Sequence, residues 1–117
     1  MGREFFSEEF VRRGARYLKT LSDENRLRIM LLLAKDGERP VGEIVTELGM
    51  PQPRVSHHLG VLRAAGLVVD RRNGRQVIYD INDALWRKLG AEFFDKLQKG
   101  DRISLLGKFV ISRLGRN

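Results

Sequence analysis

The succession of hydrophobic periods along this sequence predicts a mainly α fold with a small β-hairpin, arranged as a winged helix-turn-helix. Two apolar stripes of helical spacing within residues 41–65 are separated by a glycine, which is a helix-turn-helix arrangement. Over residues 67–81 the period shifts from that of a helix to that of a strand, around an Asn-Gly pair, as a hairpin wing requires. Helical stripes flank both, over 7–21 and 84–114, and 117 residues amount to one domain, 1–117, with a single modest core.

Each element has its local reason. Ser7 is placed to cap a first helix over 7–21, with Glu8 and Glu9 in the first turn, where the helix dipole favours acids, and Phe10, Tyr17, Leu18 and Leu21 at helical spacing. Ser22 is expected to cap the second helix, whose inner face reads as Leu27, Met30, Leu31 and Ala34, and Gly37 ends it with Pro40 just beyond. The third helix, 41–48, turns Val41, Ile44, Val45 and Leu48 inward and stops at Gly49. Pro51 and Pro53 fix where the fourth can begin, because proline is tolerated only in a first turn; it runs to Ala65, with Val55, Leu59 and Leu62 inward. Leu67–Val69 and Val77–Ile81 read as strands joined through Arg72-Asn73-Gly74-Arg75, with Asn-Gly as the turn. After Asn82 or Asp83 a fifth helix carries Leu85, Trp86, Leu89, Phe93 and Leu97 up to Gly100, and apolar residues at 103, 106, 110 and 114 suggest a sixth.

The formal charge of +7 and a pI near 10.4 favour an acidic partner such as nucleic acid or an anionic membrane. The absence of Cys excludes disulfides, thiolate metal sites and thiol redox switches. No apolar run approaches the roughly 20 residues a spanning helix needs, MGREFFSEEF lacks a signal-peptide core, and Phe6 occupies the hydroxyl position of the N-terminal lipidation pattern. A cytoplasmic protein without a membrane partner is the expectation.

The two histidines, His57 and His58, stand side by side in the fourth helix. Adjacent helical residues do not share a face, and no Cys or third His exists to complete a metal site, so neither metal nor cofactor is expected. No Ser-His-Asp arrangement or glycine-rich phosphate loop suggests catalysis, and the chain is not expected to be an enzyme. With Leu59 at the centre of the buried face, His57 points outward and His58 lies nearer the core, in a structural part at the helix edge. The remaining reading is DNA readout. A short helix with a polar N-terminal half can enter a major groove about 12 Å wide, where Gln52 can pair with adenine and Arg54 with guanine while Ser56 and His57 donate to bases or phosphates. The plainer alternative is a solvated polar face.

Residues 51–79 hold Arg54, Arg63, Arg71, Arg72 and Arg75 against one acid, Asp70. Arginine's planar fork suits phosphate oxygens, so a tip carrying Arg71, Arg72, Asn73, Arg75 and Gln76 is expected along the backbone or in a minor groove. Edge arginines also blunt an exposed sheet, but three around one turn beside a helix-turn-helix favour DNA. Phe6, Phe10, Tyr17, Trp86, Phe93 and Phe94 exceed what one small core can hide, which favours burial across a twofold interface over ordinary core placement. The segment KGDRISLLGKFVISRLGRN, basic with an apolar stripe, is expected to join the dimer; the alternative is a winged-helix module that binds a protein partner or anionic membrane through it.

LKTLSDENRLRIMLLL, VGEIVTELGMPQPRVSHHLGVLRAAGLV and DRRNGRQVIYDI together resemble the ArsR/SmtB family of winged-helix repressors over about residues 15–82, most specifically at Gln52–Leu59 and Val61–Val68. The resemblance implies a homodimeric transcriptional repressor whose first and last helices build the dimer, a double-stranded pseudo-palindromic operator, and release by an inducer, here unknown. It also implies where metal-sensing members bind metal. The Cys-x-Cys positions of one site type fall on Pro40 and Gly42, and the last helix offers Asp83, Glu92 and Asp95 but no His for the other. Metal sensing through either site is therefore not expected.

Overall fold

A computed structural model of the chain describes residues 7–99, with side chains to residue 92. The order is α1 (Glu8–Leu21), α2 (Glu24–Asp36), β1 (Arg39–Pro40), α3 (Val41–Leu48), α4 (Gln52–Ala64), β2 (Val68–Asn73), β3 (Gln76–Ile81) and α5 (Asp83–Lys99). The fold is mostly helical with a three-stranded antiparallel sheet in the order β1-β3-β2, a winged helix-turn-helix. The sixth helix over 103–114, Phe6 and the side chains of Phe93 and Phe94 lie outside the described residues.

The core is built where α2, α3 and α4 meet the sheet. Ile29 and Leu33 of α2, Ile44 of α3, Val55, Leu59 and Leu62 of α4, and Leu67, Val68 and Tyr79 form one buried cluster. Burying a side chain of this kind stabilises the fold by about 1.5–3 kcal/mol, so this cluster fixes the pose of α4. Gly49 ends α3 in the left-handed region, φ 63°, and its N–H donates to the Val45 carbonyl at 2.9 Å. Glycine meets that conformation without a Cβ penalty, and the chain turns at once through Met50 and Pro51 into α4. The root of α5 is pinned to the end of α4. Asn82 caps α5 by accepting from the Leu85 N–H, its Nδ2 donates to the Gly66 carbonyl at 2.8 Å, and the Trp86 indole donates to the Leu67 carbonyl at 3.2 Å.

Four local expectations are corrected. Asp23, not Ser22, caps α2: its Oδ1 accepts from the Asn25 and Arg26 N–H groups at 2.8 and 3.1 Å. Ser22 remains helical, at φ −72° and ψ −14°, and ends α1 by donating to the Lys19 carbonyl. The inner face of α2 is Ile29, Met30 and Leu33; Leu31 is 60% exposed, and Leu27 and Ala34 also face outward. ENRLRIMLLLAKD carries apolar residues on more than one face, so spacing alone admits either register, and the position of α3 and α4 selects one. The hairpin loop is Gly74-Arg75, since Asn73 pairs with Gln76 in the ladder and Gly74 supplies the positive φ at the first loop position. The strands consequently run closer to the tip than expected. Finally, β1 is a third strand that two residues cannot announce by period; Arg39 pairs with Tyr79 and Pro40 with Ile78.

Candidate nucleic-acid interface

α4 divides sharply around its circumference. Val55, His58, Leu59 and Leu62 are buried, while Gln52, Pro53, Arg54, Ser56 and His57 are exposed. The polar half lies at the N-terminal end, beyond Pro51 and its neighbour Pro53. Since neither prolyl nitrogen can donate, these are the positions in a helix where proline removes nothing.

The exposed half of α4 does not stand alone. Gln52 and Ser56 share the lining of one groove of about 350 Å³ with Arg75, Gln76 and Val77 of the wing and with Val41 and Gly42 at the start of α3. The first turns of α3 and α4 and the tip end of β3 in the wing thus border one surface. Pro40 and Pro51, which precede the two helices, supply no side-chain cap, so no side chain takes up the helices' first N–H groups there.

The wing arginines separate into two kinds. Arg71 is held by Glu38 in a fork, with Nε–Oε1 3.4 Å and Nη2–Oε2 2.9 Å, and Arg63 meets Asp70 at 3.3 Å. All four side chains retain solvent access, so the pairs bias position more than they add stability. Arg54, Arg72 and Arg75 form no ion pair among the described residues. Arg72, Asn73, Arg75 and Gln76 are all exposed around the tip. Glu38 was not among the expected residues; it lies 33 positions from Arg71, and no local pattern joins them.

His58 is only 7% exposed, as the helical phase of α4 requires. Its Nδ1 lies 3.3 Å from Nη1 of Arg26, whose Nε donates to the Thr20 carbonyl at 2.8 Å. A guanidinium only donates, so Nδ1 is the acceptor and the imidazole proton sits on Nε2. Burial lowers the His58 pKa from its ordinary value of 6.5, with Arg26, His57 and Arg54 acting the same way and Asp23 opposing them. Among the described residues no cluster of three or more His, Cys, Asp or Glu could hold a metal ion, and no helix is long and apolar enough to cross a membrane.

A second groove is apolar. Phe10, Gly14, Tyr17, Leu18 and Leu21 of α1 face Trp86, Leu89 and Gly90 of α5 across a groove of about 290 Å³, with Arg13 at its margin. Of the residues expected at a dimer interface, Phe10, Tyr17 and Trp86 are brought together here, although Trp86 also serves its own chain through the Leu67 carbonyl.

Comparison with known proteins agrees with this geometry. The sequence profile of the bacterial regulatory protein, arsR family, matches residues 23–69. The arsenic resistance transcriptional regulator ArsR2 of Pseudomonas putida is 46% identical over 67 residues, which cover 57% of this chain and 58% of that protein. The chain spans only about half the length of the arsenic-resistance regulators it matches, 58%, 50% and 55% in three cases. The uncharacterised helix-turn-helix-type transcriptional regulator MJ1325 of Methanocaldococcus jannaschii is 41% identical over 75 residues, 64% of this chain and 84% of that one. Among solved structures, the homodimeric winged helix-turn-helix DNA-binding domain Mb0332 of Mycobacterium bovis superposes with a TM-score of 0.63 at 34% identity, covering 78% of this chain and 84% of that one. With its helix-turn-helix, its wing and these relatives all in agreement, the chain belongs to the ArsR/SmtB family of winged helix-turn-helix proteins.

Proposed function

We propose that the protein is a homodimeric transcriptional repressor that binds a pseudo-palindromic DNA operator. α4 enters the major groove, with Gln52, Arg54, Ser56 and His57 toward base edges and nearby phosphates, and the wing lies on the backbone or in the adjacent minor groove through Arg72, Asn73, Arg75 and Gln76. Arg63 and Arg71, already paired to Asp70 and Glu38, serve as secondary phosphate contacts. The observation that carries this reading is the shared groove: Gln52 and Ser56 of α4 and Arg75 and Gln76 of the wing line one surface, so a single duplex can meet both. A net charge of +7 supplies the sequence-independent attraction to phosphate.

The apolar groove between α1 and α5 is the dimer surface in this reading, supported by the homodimeric state of the Mycobacterium bovis relative. A twofold dimer presents two copies of α4, and these fit half-sites separated by about 34 Å, one helical turn, or a multiple of it. Selection of genomic fragments by the purified chain tests the function directly. An operator should emerge whose affinity falls with salt at a slope near −0.9 per phosphate neutralised. Arg54→Ala should cost about 1–3 kcal/mol of discrimination between operator and random duplex. Arg75→Ala should weaken every duplex similarly and reduce the salt slope by about 1. Full discrimination by the Arg54 variant would remove α4 from the readout.

A further inference from the structure

The exposed half of α4 can read DNA only if its roll about its own axis is fixed. The hydrophobic core fixes the pose of α4 through Val55, Leu59 and Leu62, and hydrogen bonds add direction to that packing. Among the described residues two side-chain contacts also join this helix to other elements: Arg63 meets Asp70 of β2 on the exposed surface, and His58 meets Arg26 in the part-buried interior. Arg26, at the start of α2, places Nε on the Thr20 carbonyl in the last turn of α1 and Nη1 on Nδ1 of His58. Its own N–H is held by the Asp23 carboxylate at 3.1 Å, which fixes the base of the side chain. The Thr20 carbonyl belongs to a helix end that leaves carbonyls unsatisfied, and a cation there is favoured by the dipole. Arg26 is thus a half-buried fork between the helix facing the apolar groove and the helix facing the polar one.

We propose that Arg26 is the positioning residue of the readout helix: by holding Thr20 and His58 at once, it sets the roll of α4 relative to α1 and so couples the dimer end of the molecule to base recognition. The proposal rests on the DNA-binding reading above. Its chemistry is demanding. Lysine offers a point charge where arginine offers a planar fork, and one ammonium cannot meet both acceptors in this geometry. The contact also requires an unprotonated Nδ1. A second proton on His58 would set imidazolium against guanidinium at 3.3 Å. The other titratable or charged groups facing the ring are Asp23, the N-cap of α2, and His57 and Arg54 from α4 itself. Asp23 is committed to the α2 N-terminus, where its hydrogen bonds hold its own pKa below the ordinary carboxylate value.

The test uses the full chain, the selected operator and a random duplex, from about pH 8 down to about pH 5.5, a range that spans imidazole titration. Arg26→Lys should keep the far-UV dichroism of the folded chain and lose about tenfold in operator discrimination, the scale of one hydrogen bond to a charged group. His58→Asn places an oxygen where Nδ1 stands and does not titrate. It should keep discrimination at the higher pH and remove the decline that the unaltered chain shows on acidification. Comparing these two proteins cancels His57, which both retain. Unchanged discrimination in Arg26→Lys, or the same acid profile in His58→Asn as in the unaltered chain, overturns the proposal. If no duplex is preferred at all, the functional reading fails separately. The imidazole ¹⁵N spectrum then decides: an unprotonated Nδ1 that shifts on Arg26→Lys upholds the tie, and a protonated or unresponsive one refutes it.

Discussion

α4 buries four of its residues, Val55, His58, Leu59 and Leu62, whereas α1 buries none, although both helices carry an apolar stripe. The stripe of α4 is completed by its own chain, through α2, α3 and the sheet, and what remains outside is polar and basic. The stripe of α1 is met only in part by α5, and Leu18 stays 72% exposed beside Phe10 and Tyr17. The contrast shows how one small domain can present two surfaces of opposite chemistry. A polar face over a finished core suits a charged, hydrated partner such as a duplex. An apolar face over an unfinished one suits a second protein surface that shields it from water.

The contrast can be broken at its strongest point first. Leu59→Ala removes a fully buried side chain from the inner face of α4 and should cost about 2–5 kcal/mol in urea unfolding, with any duplex binding lost alongside the fold. A loss well under 1 kcal/mol would mean that α4 is not anchored as described. Next, Leu18→Glu should leave helix content unchanged and raise the dimer dissociation constant by more than about tenfold, as expected for a residue central to an interface. Sedimentation across a concentration series measures it, and an unaltered dimer would place the interface elsewhere.

A smaller effect appears as a pH slope. His58 carries a lowered pKa in the folded chain, so on acidification the unfolded chain takes up its proton first. Its contribution to stability is therefore fully present above the ordinary value of 6.5, begins to be lost as the pH falls through it, and levels off below the folded value. Asp23 acts in a separate, more acidic window. Its carboxylate pKa is lowered from 3.8, so its contribution is present above that value and is lost as the pH falls through the folded one. Thermal melts of the unaltered chain and His58→Asn should differ only in the upper window. Smallest of all, Glu38→Gln breaks an exposed pair and should change stability by less than about 1 kcal/mol. By releasing Arg71 it should raise affinity for any duplex slightly, read as a steeper salt slope; a weakened affinity would instead make Glu38 part of what holds the wing in place.

Much of this organisation is written locally. Gly49 and Gly74 mark the ends of α3 and of the wing strands, because each supplies a positive φ where the chain reverses. The prolines at 51 and 53 set the start of α4, and the phase of Val55, Leu59 and Leu62 assigns His57 to the surface and His58 to the interior. Where local signals compete they mislead. Ser22 and Asp23 are both capping residues, and the one whose backbone is extended, Asp23 at ψ 128°, does the capping. Leu27 and Leu31 match an inward stripe as well as Ile29 and Leu33 do, yet only the latter meet α3, α4 and the sheet.

The sequence by itself determined the order of the helices and the wing, the helix-turn-helix and the polar face of α4, since all of these follow from spacing within a few turns of chain, and its motifs carried the family resemblance. Only the tertiary structure decided which side of α2 faces the core, that a two-residue strand extends the sheet, that Arg71 is held by Glu38 while Arg72 and Arg75 are not, and that His58 answers to Arg26. The physical reason is range. Periodicity states which side chains share a face, but a face acquires a neighbour, and a charge its partner, only when segments 32 or 33 residues apart are folded together.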